Sequence, residues 1–373
     1  MIRFQADRRR VLQRGTAAIA AAAGFPAVQA QGSGGSVRAP VVAQIVDVSM
    51  QQQDVSKDFL IGSRAAWADL AKRPATRARP AVQHLAIETD GSPASLRAAL
   101  AQVRDNPACV ALSGTVAALT ARQLTDLLRA ESLQIAHAAP WLQDAAVVDD
   151  RTFPIFATRQ DQIVHALKSL STMGVQELAV IYATPSDHAL QHEGMERTAK
   201  ALQIRLQSFQ ANGDDLRALG QRLNPGTPAI LLFVGGTPEL ARFTQGLDKQ
   251  ARQRYLIALA DVNLQTLMQM GAGRHTPVIG TQPVPMVNAS LPVVRAYREV
   301  LARLFDEPPS PLSLAGFLAA RYTSEVLDDV DGPLTRANVL VAFQKRAALD
   351  LGGYRISFNP QRFGSTYVTQ SML

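Results

Sequence analysis

Cysteine is almost absent from this 373-residue chain, since Cys109 is the only one. A single cysteine cannot form an internal disulfide, so stability has to come from apolar burial. Residues 109–112 are typical of a buried strand, which favours a small core residue over a reactive thiol. With 47% hydrophobic residues, the chain can build two domain-sized cores.

Catalytic and phosphate-binding motifs are also missing. No Ser/His/Asp, Cys/His or paired-carboxylate pattern occurs in a context that would activate it. We therefore expect that the protein is not an enzyme. Gly114 and the Gly235-Gly236 pair each lack the full glycine fingerprint of a phosphate cradle. We expect no cofactor.

The apolar run of residues 15–28 is too short for a membrane span, which needs about 20 apolar residues. It follows Arg8-Arg9-Arg10-Val11-Leu12 and precedes the small residue Ala30, and these features together indicate a cleaved export signal. The arginines followed by Val11 and Leu12 favour the twin-arginine route over an ordinary secretory signal that happens to be arginine-rich. We expect cleavage near Ala30, a flexible leader over residues 31–40 and a soluble periplasmic protein.

The positive charge of the chain is concentrated in that signal. Five arginines against Asp7 give residues 1–30 a net charge of +4, so the whole-chain value of +7 leaves only +3 for the remainder. Nucleic-acid binding is therefore not implied.

Short β-like runs alternate with longer amphipathic stretches along the remaining chain. We predict strands at residues 41–46, 84–87, 109–112, 133–136, 178–182, 229–233 and 255–258, with helices between them. This alternation predicts an α/β protein with parallel sheets flanked by helices.

Two breaks divide the alternation into two similar lobes. Residues 151–158 and 282–285 contain prolines and are predicted to be extended connections, so the lobes are joined by a hinge. We expect residues 41–157 and 286–347 in lobe 1, and residues 158–285 and 348–373 in lobe 2. In the tail, residues 352–358 are expected to pair with residues 366–368.

Several groups of residues, in the correct order, resemble one family of proteins. The most specific are residues 313–321 (SLAGFLAAR), 332–336 (GPLTR) and 351–354 (LGGY) with 359–365 (NPQRFGS), and residues 58–66 and 88–93 add weaker matches. They resemble the type I periplasmic solute-binding proteins of ABC importers, in the leucine/isoleucine/valine-binding branch. The resemblance implies two lobes joined by a three-stranded hinge with a ligand cleft between them.

The resemblance places the ligand at loops beyond the carboxyl ends of the strands, where backbone N–H groups suit a carboxylate. In amino-acid-binding relatives serines hold the carboxylate at the positions of Ala117 and Ala118, and His188 and Thr237 stand near positions that are usually aromatic. The expected ligand-binding residues are Ser49, Thr115, Ala117, Ala118, Ala139, Trp141, His188, Thr237 and Asp261.

Two of these side chains have a second interpretation. Trp141 could form an aromatic wall of the cleft or pack under a neighbouring loop. His188 and His192, with Glu193, could face a metal, but their order is not the metalloprotease motif, so we favour a solvated helix N-terminus with His188 facing the cleft and expect no metal.

The resemblance implies a monomeric binding protein that passes an amino acid, organic acid or amide to an inner-membrane ABC permease. The alternative is a ligand-sensing module that docks on a membrane signalling receptor, and the sequence does not separate the two roles.

Overall fold

The computed structural model describes residues 39–74, 81–143, 148–211, 215–272 and 274–372. The expected export signal and nearly all of the leader lie outside these ranges. The described residues form one compact unit. None of the described helices is long and apolar enough to cross a bilayer.

The first lobe is built on a five-stranded parallel sheet of order β2-β1-β3-β4-β5. Its inner strands β1 and β3 are buried along their whole length, as expected of a sheet covered by helices on both faces. The strands are β1 Val41–Asp47, β2 Gln83–Thr89, β3 Cys109–Ser113, β4 Ala136–Ala138 and β5 Thr152–Phe153, and the helices between them are α1 Gln53–Leu70, α2 Pro93–Asp105 and α3 Ala118–Ala130.

The second lobe contains a six-stranded sheet of order β13-β10-β9-β8-β6-β7, in which only β13 is antiparallel. Its strands are β6 Glu177–Tyr182, β7 Arg205–Gln210, β8 Ile230–Val234, β9 Tyr255–Ala258, β10 Val278–Gln282 and β13 Thr369–Met372. Its helices are α4 Arg159–Thr172, α5 Pro185–Ala201, α6 Leu216–Arg222, α7 Thr237–Leu247 and α8 Leu264–Gln269.

Three late helices complete the first lobe: α9 Pro292–Leu304, α10 Pro311–Asp328 and α11 Arg336–Gln344. Helix α10 packs tightly on α1 because glycine stands at the contact on both helices. A Cβ at Gly62 would overlap the carbonyl oxygen of Ser313, and a Cβ at Gly316 would overlap that of Phe59. The apolar sequence around Gly316 therefore contributes to the main core of this lobe.

The chain crosses between the lobes after β5, after β10 and before β13. Tyr354, which is buried, donates its hydroxyl to the carbonyl oxygens of Ile155 at 2.8 Å and Pro283 at 3.4 Å. Gly364 N–H donates to the carbonyl oxygen of Pro154 at 2.9 Å. These bonds hold the three crossing segments together, so the two-lobed α/β fold expected from the sequence is confirmed.

Some local predictions were wrong. Residues 352–358 do not pair with 366–368: β12 Arg355–Ile356 pairs with β11 Leu349–Asp350, and the last strand joins β10 instead. The segment 151–158 is not only a connection, because its first residues form the edge strand β5. Of residues 348–373, the β11–β12 hairpin packs on the first-lobe core, whereas β13 belongs to the second sheet.

Candidate ligand-binding cleft

The carboxyl ends of the two sheets face each other. Asn263, after β9, donates from Nδ2 to the Asp54 carbonyl oxygen at 3.1 Å and to Asp58 Oδ2 at 3.3 Å, and both acceptors belong to the first turns of α1. On the opposite side, Gln162 Nε2 of α4 donates to Gln143 Oε1 at 3.2 Å. The first turns of α1 and the loop after β4 in the first lobe therefore contact the loop after β9 and the start of α4 in the second.

The first-lobe side of the cleft is formed by the loop between β3 and α3. Ala117, with φ of 72°, is the N-cap of α3 and supplies no side-chain acceptor for the N–H groups of the first helical turn. Ala118 is half-buried at the first position of that turn. Ala139, after β4, also has a positive φ of 46°. Non-glycine residues held in this region carry strain, which is concentrated at functional sites in proteins.

Thr115 lies in this loop but is fully buried, and its hydroxyl is engaged with a histidine. Thr125 donates its only hydroxyl proton to the Ala121 carbonyl oxygen. In its contact with His137 Nδ1 at 3.3 Å, the Thr125 oxygen must therefore be the acceptor, and Nδ1 carries the proton. His137 Nε2 is then the acceptor for the Thr115 hydroxyl at 3.0 Å. Burial lowers the pKa of His137 to about 4, so the ring is neutral.

Trp141 belongs to the core of the first lobe. It is 2% exposed, with its ring 5.8 Å from that of Phe59 in an edge-to-face arrangement and 5.1 Å from that of Phe156. Of the two interpretations of this residue, the packing one describes its position. Ser49, half-buried in the turn after β1, donates its N–H to Asp47 Oδ1 at 2.8 Å.

His188 lies in the first turns of α5 and is half-buried. Its ring is 4.9 Å from that of Tyr182 and stacks on His192 at 4.4 Å. Within the described ranges, no three His, Cys, Asp or Glu side chains are placed to hold a metal ion. The two histidines thus form an aromatic cluster at the end of β6.

Thr237 and Asp261 both have partners. Thr237 accepts the Asn263 N–H at 2.9 Å. Asp261 accepts two bonds from Arg159, at 3.0 Å from Nε and 2.8 Å from Nη2, with both side chains largely buried. This bidentate pair fixes the carboxylate on the second-lobe side.

Four residues that bridge or line the cleft were missed from the sequence: Asp54, Gln143, Arg159 and Asn263. Asn263 had a detectable signal, because its Oδ1 accepts from the N–H groups of Gln265 and Thr266 as a helix N-cap. The contact of Gln143 with the other lobe has no local pattern that could have revealed it.

Two cavities lie outside the expected site, and none of the nine expected residues lines either. The larger cavity has a volume of about 750 Å³ and is bounded by α1, α8 and the loop before α10. Because α1 belongs to the first lobe and α8 to the second, we call it the junction cavity. The smaller, of about 420 Å³, lies between α10 and α11.

No known family profile matches the sequence. No curated protein matches it either. Solved structures do match. An extracellular ligand-binding receptor from Verminephrobacter eiseniae superposes with a TM-score of 0.79 at 17% identity, over 89% of this chain and 97% of its own.

Two further solved structures show the same likeness. A substrate-binding periplasmic protein from Ralstonia solanacearum has a TM-score of 0.74 at 21% identity, over 89% of this chain and 96% of its own. An ABC-transporter solute-binding protein from R. palustris in complex with 4-hydroxybenzoate has a TM-score of 0.72 at 15% identity, over 90% of this chain and 91% of its own. The resemblance found in the sequence is thereby confirmed at the level of architecture: this chain has the fold of the type I periplasmic solute-binding proteins.

Proposed function

We propose that this protein captures a small carboxylate-bearing solute between its two lobes and delivers it to an inner-membrane ABC permease. The observation that carries the proposal is the facing of the two carboxyl edges, with hydrogen bonds from Asn263 and Gln162 across the gap. Ligands of open parallel sheets bind at such edges. The solved structures of similar fold are binding proteins, and we propose no catalytic role.

The first lobe supports an anionic group on the ligand. Helix α3 has no side-chain cap at Ala117, and a helix N-terminus favours negative charge. One protein of similar fold holds 4-hydroxybenzoate, which is a carboxylate. We therefore place the ligand carboxylate beside Ala117 and Ala118, with Ser49 at the same edge.

The second lobe leaves the rest of the ligand less restricted. Both oxygens of Asp261 already accept from Arg159, so an α-amino group would have to share that carboxylate. His188 offers an imidazole edge, and Thr237 already accepts the Asn263 N–H. The proposed ligand class therefore includes organic acids and amides as well as amino acids.

The proposed location is the periplasm. Residues 1–30 carry the features of a twin-arginine export signal, with cleavage near Ala30, and we propose that the exported protein acts as a soluble monomer.

The test is a thermal-shift screen of the purified protein with L-amino acids, short amides, aliphatic acids and aromatic acids. A ligand present at a hundredfold excess over its Kd stabilises the folded state by about 2.7 kcal/mol, which raises Tm by several degrees. We expect at least one carboxylate to do so. If no compound in any class raises Tm at millimolar concentration, the proposal is wrong.

A further inference from the structure

The junction cavity is lined by residues of both lobes. Asp54, Ser56 and Asp58 of α1 line it from the first lobe, and Gln265 and Thr266 of α8 line it from the second. Its volume of about 750 Å³ lies within the range of small-molecule sites. The cavity therefore offers a place where one ligand would contact both lobes.

The charge of the lining is strongly negative. Five carboxyl groups face the cavity, and Lys57 is the only basic side chain among the lining residues; the carboxyl groups belong to Asp54, Asp58, Glu88, Asp306 and Glu307. Across the described residues, no ion pair within 4 Å involves any of these five carboxyl groups. Burial raises the pKa of Asp54 and of Asp58, as expected where a carboxylate lacks a compensating cation.

Two acceptor atoms at the cavity have no hydrogen-bond partner. Ser56 is 1% exposed, and its Oγ is unpartnered. Asp54 Oδ2 is also buried and unpartnered. A buried polar atom without a partner costs about 1–3 kcal/mol, so an added donor at this position would be favourable.

An ammonium group meets both requirements at once, since it carries positive charge and three N–H donors. A bare metal ion fits less well, because within the described ranges no three acidic or histidine side chains converge on one point. We propose that the junction cavity binds a small organic ammonium compound, such as a short alkyl diamine, in contact with both lobes. This site shares Asp54 and Asp58 with the contact between the lobes, but none of the residues beside which the carboxylate is placed lines it.

The test is calorimetry of the full exported chain with 1,4-diaminobutane as the probe, in parallel with magnesium chloride and with sodium chloride of equal ionic strength. The variant Asp306→Asn/Glu307→Gln removes two charges from the cavity wall without touching the partners of Asn263. The control Glu196→Gln/Asp248→Asn removes the same charge from the second lobe outside the cavity.

We expect saturable binding of the diamine, weakened about tenfold or more by the cavity variant and unchanged in the control. Ser56→Ala, which removes the unpartnered acceptor, should also weaken it. The proposal is overturned if the diamine does not bind, if sodium chloride or magnesium reproduces its effect, or if the two double variants behave alike. Failure here would leave carboxylate binding at Ala118 unaffected, so the two proposals fail separately.

Discussion

At the scale of single residues, His137 is the side chain whose environment has the clearest consequence. The ring is buried and neutral, and it accepts from Thr115 only while Nε2 carries no proton. Its pKa of about 4 lies below the value of about 6.5 in an unfolded chain. The unfolded state therefore binds a proton at a higher pH than the folded state.

The free energy of unfolding should therefore fall as the pH drops from about 6.5 to about 4, by roughly 3 kcal/mol from this residue alone. His137→Gln should remove that part of the pH dependence, whatever it does to stability at pH 7. Urea unfolding of the original protein and of His137→Gln across this pH range gives the two free energies of unfolding. Because both proteins carry the same carboxylates, the carboxylate contributions cancel in the difference. Equal slopes in the two proteins would contradict the neutral buried histidine.

The residue scale is also where the sequence predicted least. The end of β3, before Ala117 and Ala118, was located within one residue from the alternation of strands and helices. The strand before Ala139 was expected at residues 133–136 but lies at Ala136–Ala138. Whether a side chain at such a strand end faces a ligand or the core depends on contacts distant in sequence. Trp141 packs against Phe59, and Thr115 bonds His137, and neither partner is indicated by a local pattern.

At the scale of elements, the packing of α1 on α10 depends on backbone contact at two glycines. Gly62→Ala should force the helices apart, because its Cβ would overlap the Ser313 carbonyl oxygen, which cannot move independently of its helix. We expect a loss of about 2–4 kcal/mol in the free energy of unfolding, measured in urea.

Gly194→Ala in α5 is the matched control. The nearest atom to its new Cβ is Oε1 of Gln160, the end of a flexible side chain. This change should be close to neutral, because alanine is also the better helix former. Equal losses at both positions would mean that the α1–α10 contact is not as close as described.

Long, strongly patterned elements were predictable, and short or edge elements were not. The inner strand β1 is buried along its whole length and was located within one residue of its observed end. The edge strand β7 is largely polar and partly exposed, so it has no apolar run that the sequence could reveal. The pairing of β12 was wrong because a two-residue strand has too little pattern to specify its partner.

At the scale of the whole molecule, Asn263 links the lobes while also capping α8. Asn263→Asp keeps a side-chain acceptor for the cap, but it replaces the Nδ2 donor with a carboxylate facing Asp58. The closed arrangement should become less stable, so a bound solute leaves about tenfold faster while the fold is retained. Stopped-flow dissociation measures the rate.

Asn263→Ser separates the lost donor from the added charge. It retains a capping hydroxyl and introduces no repulsion, so its effect on the dissociation rate should be smaller than that of the aspartate. A dissociation rate unchanged in both variants would mean that this contact does not hold the lobes together around the solute.

The central claim is that the solute binds between the lobes, beside the first turn of α3. Ala118→Trp places a large side chain at that turn, and Ala98→Trp makes the same change at an exposed position of α2 in the same lobe. Calorimetry with whichever carboxylate raises Tm should show binding lost in Ala118→Trp and retained in Ala98→Trp. Full affinity in a correctly folded Ala118→Trp protein would show that the ligand binds elsewhere.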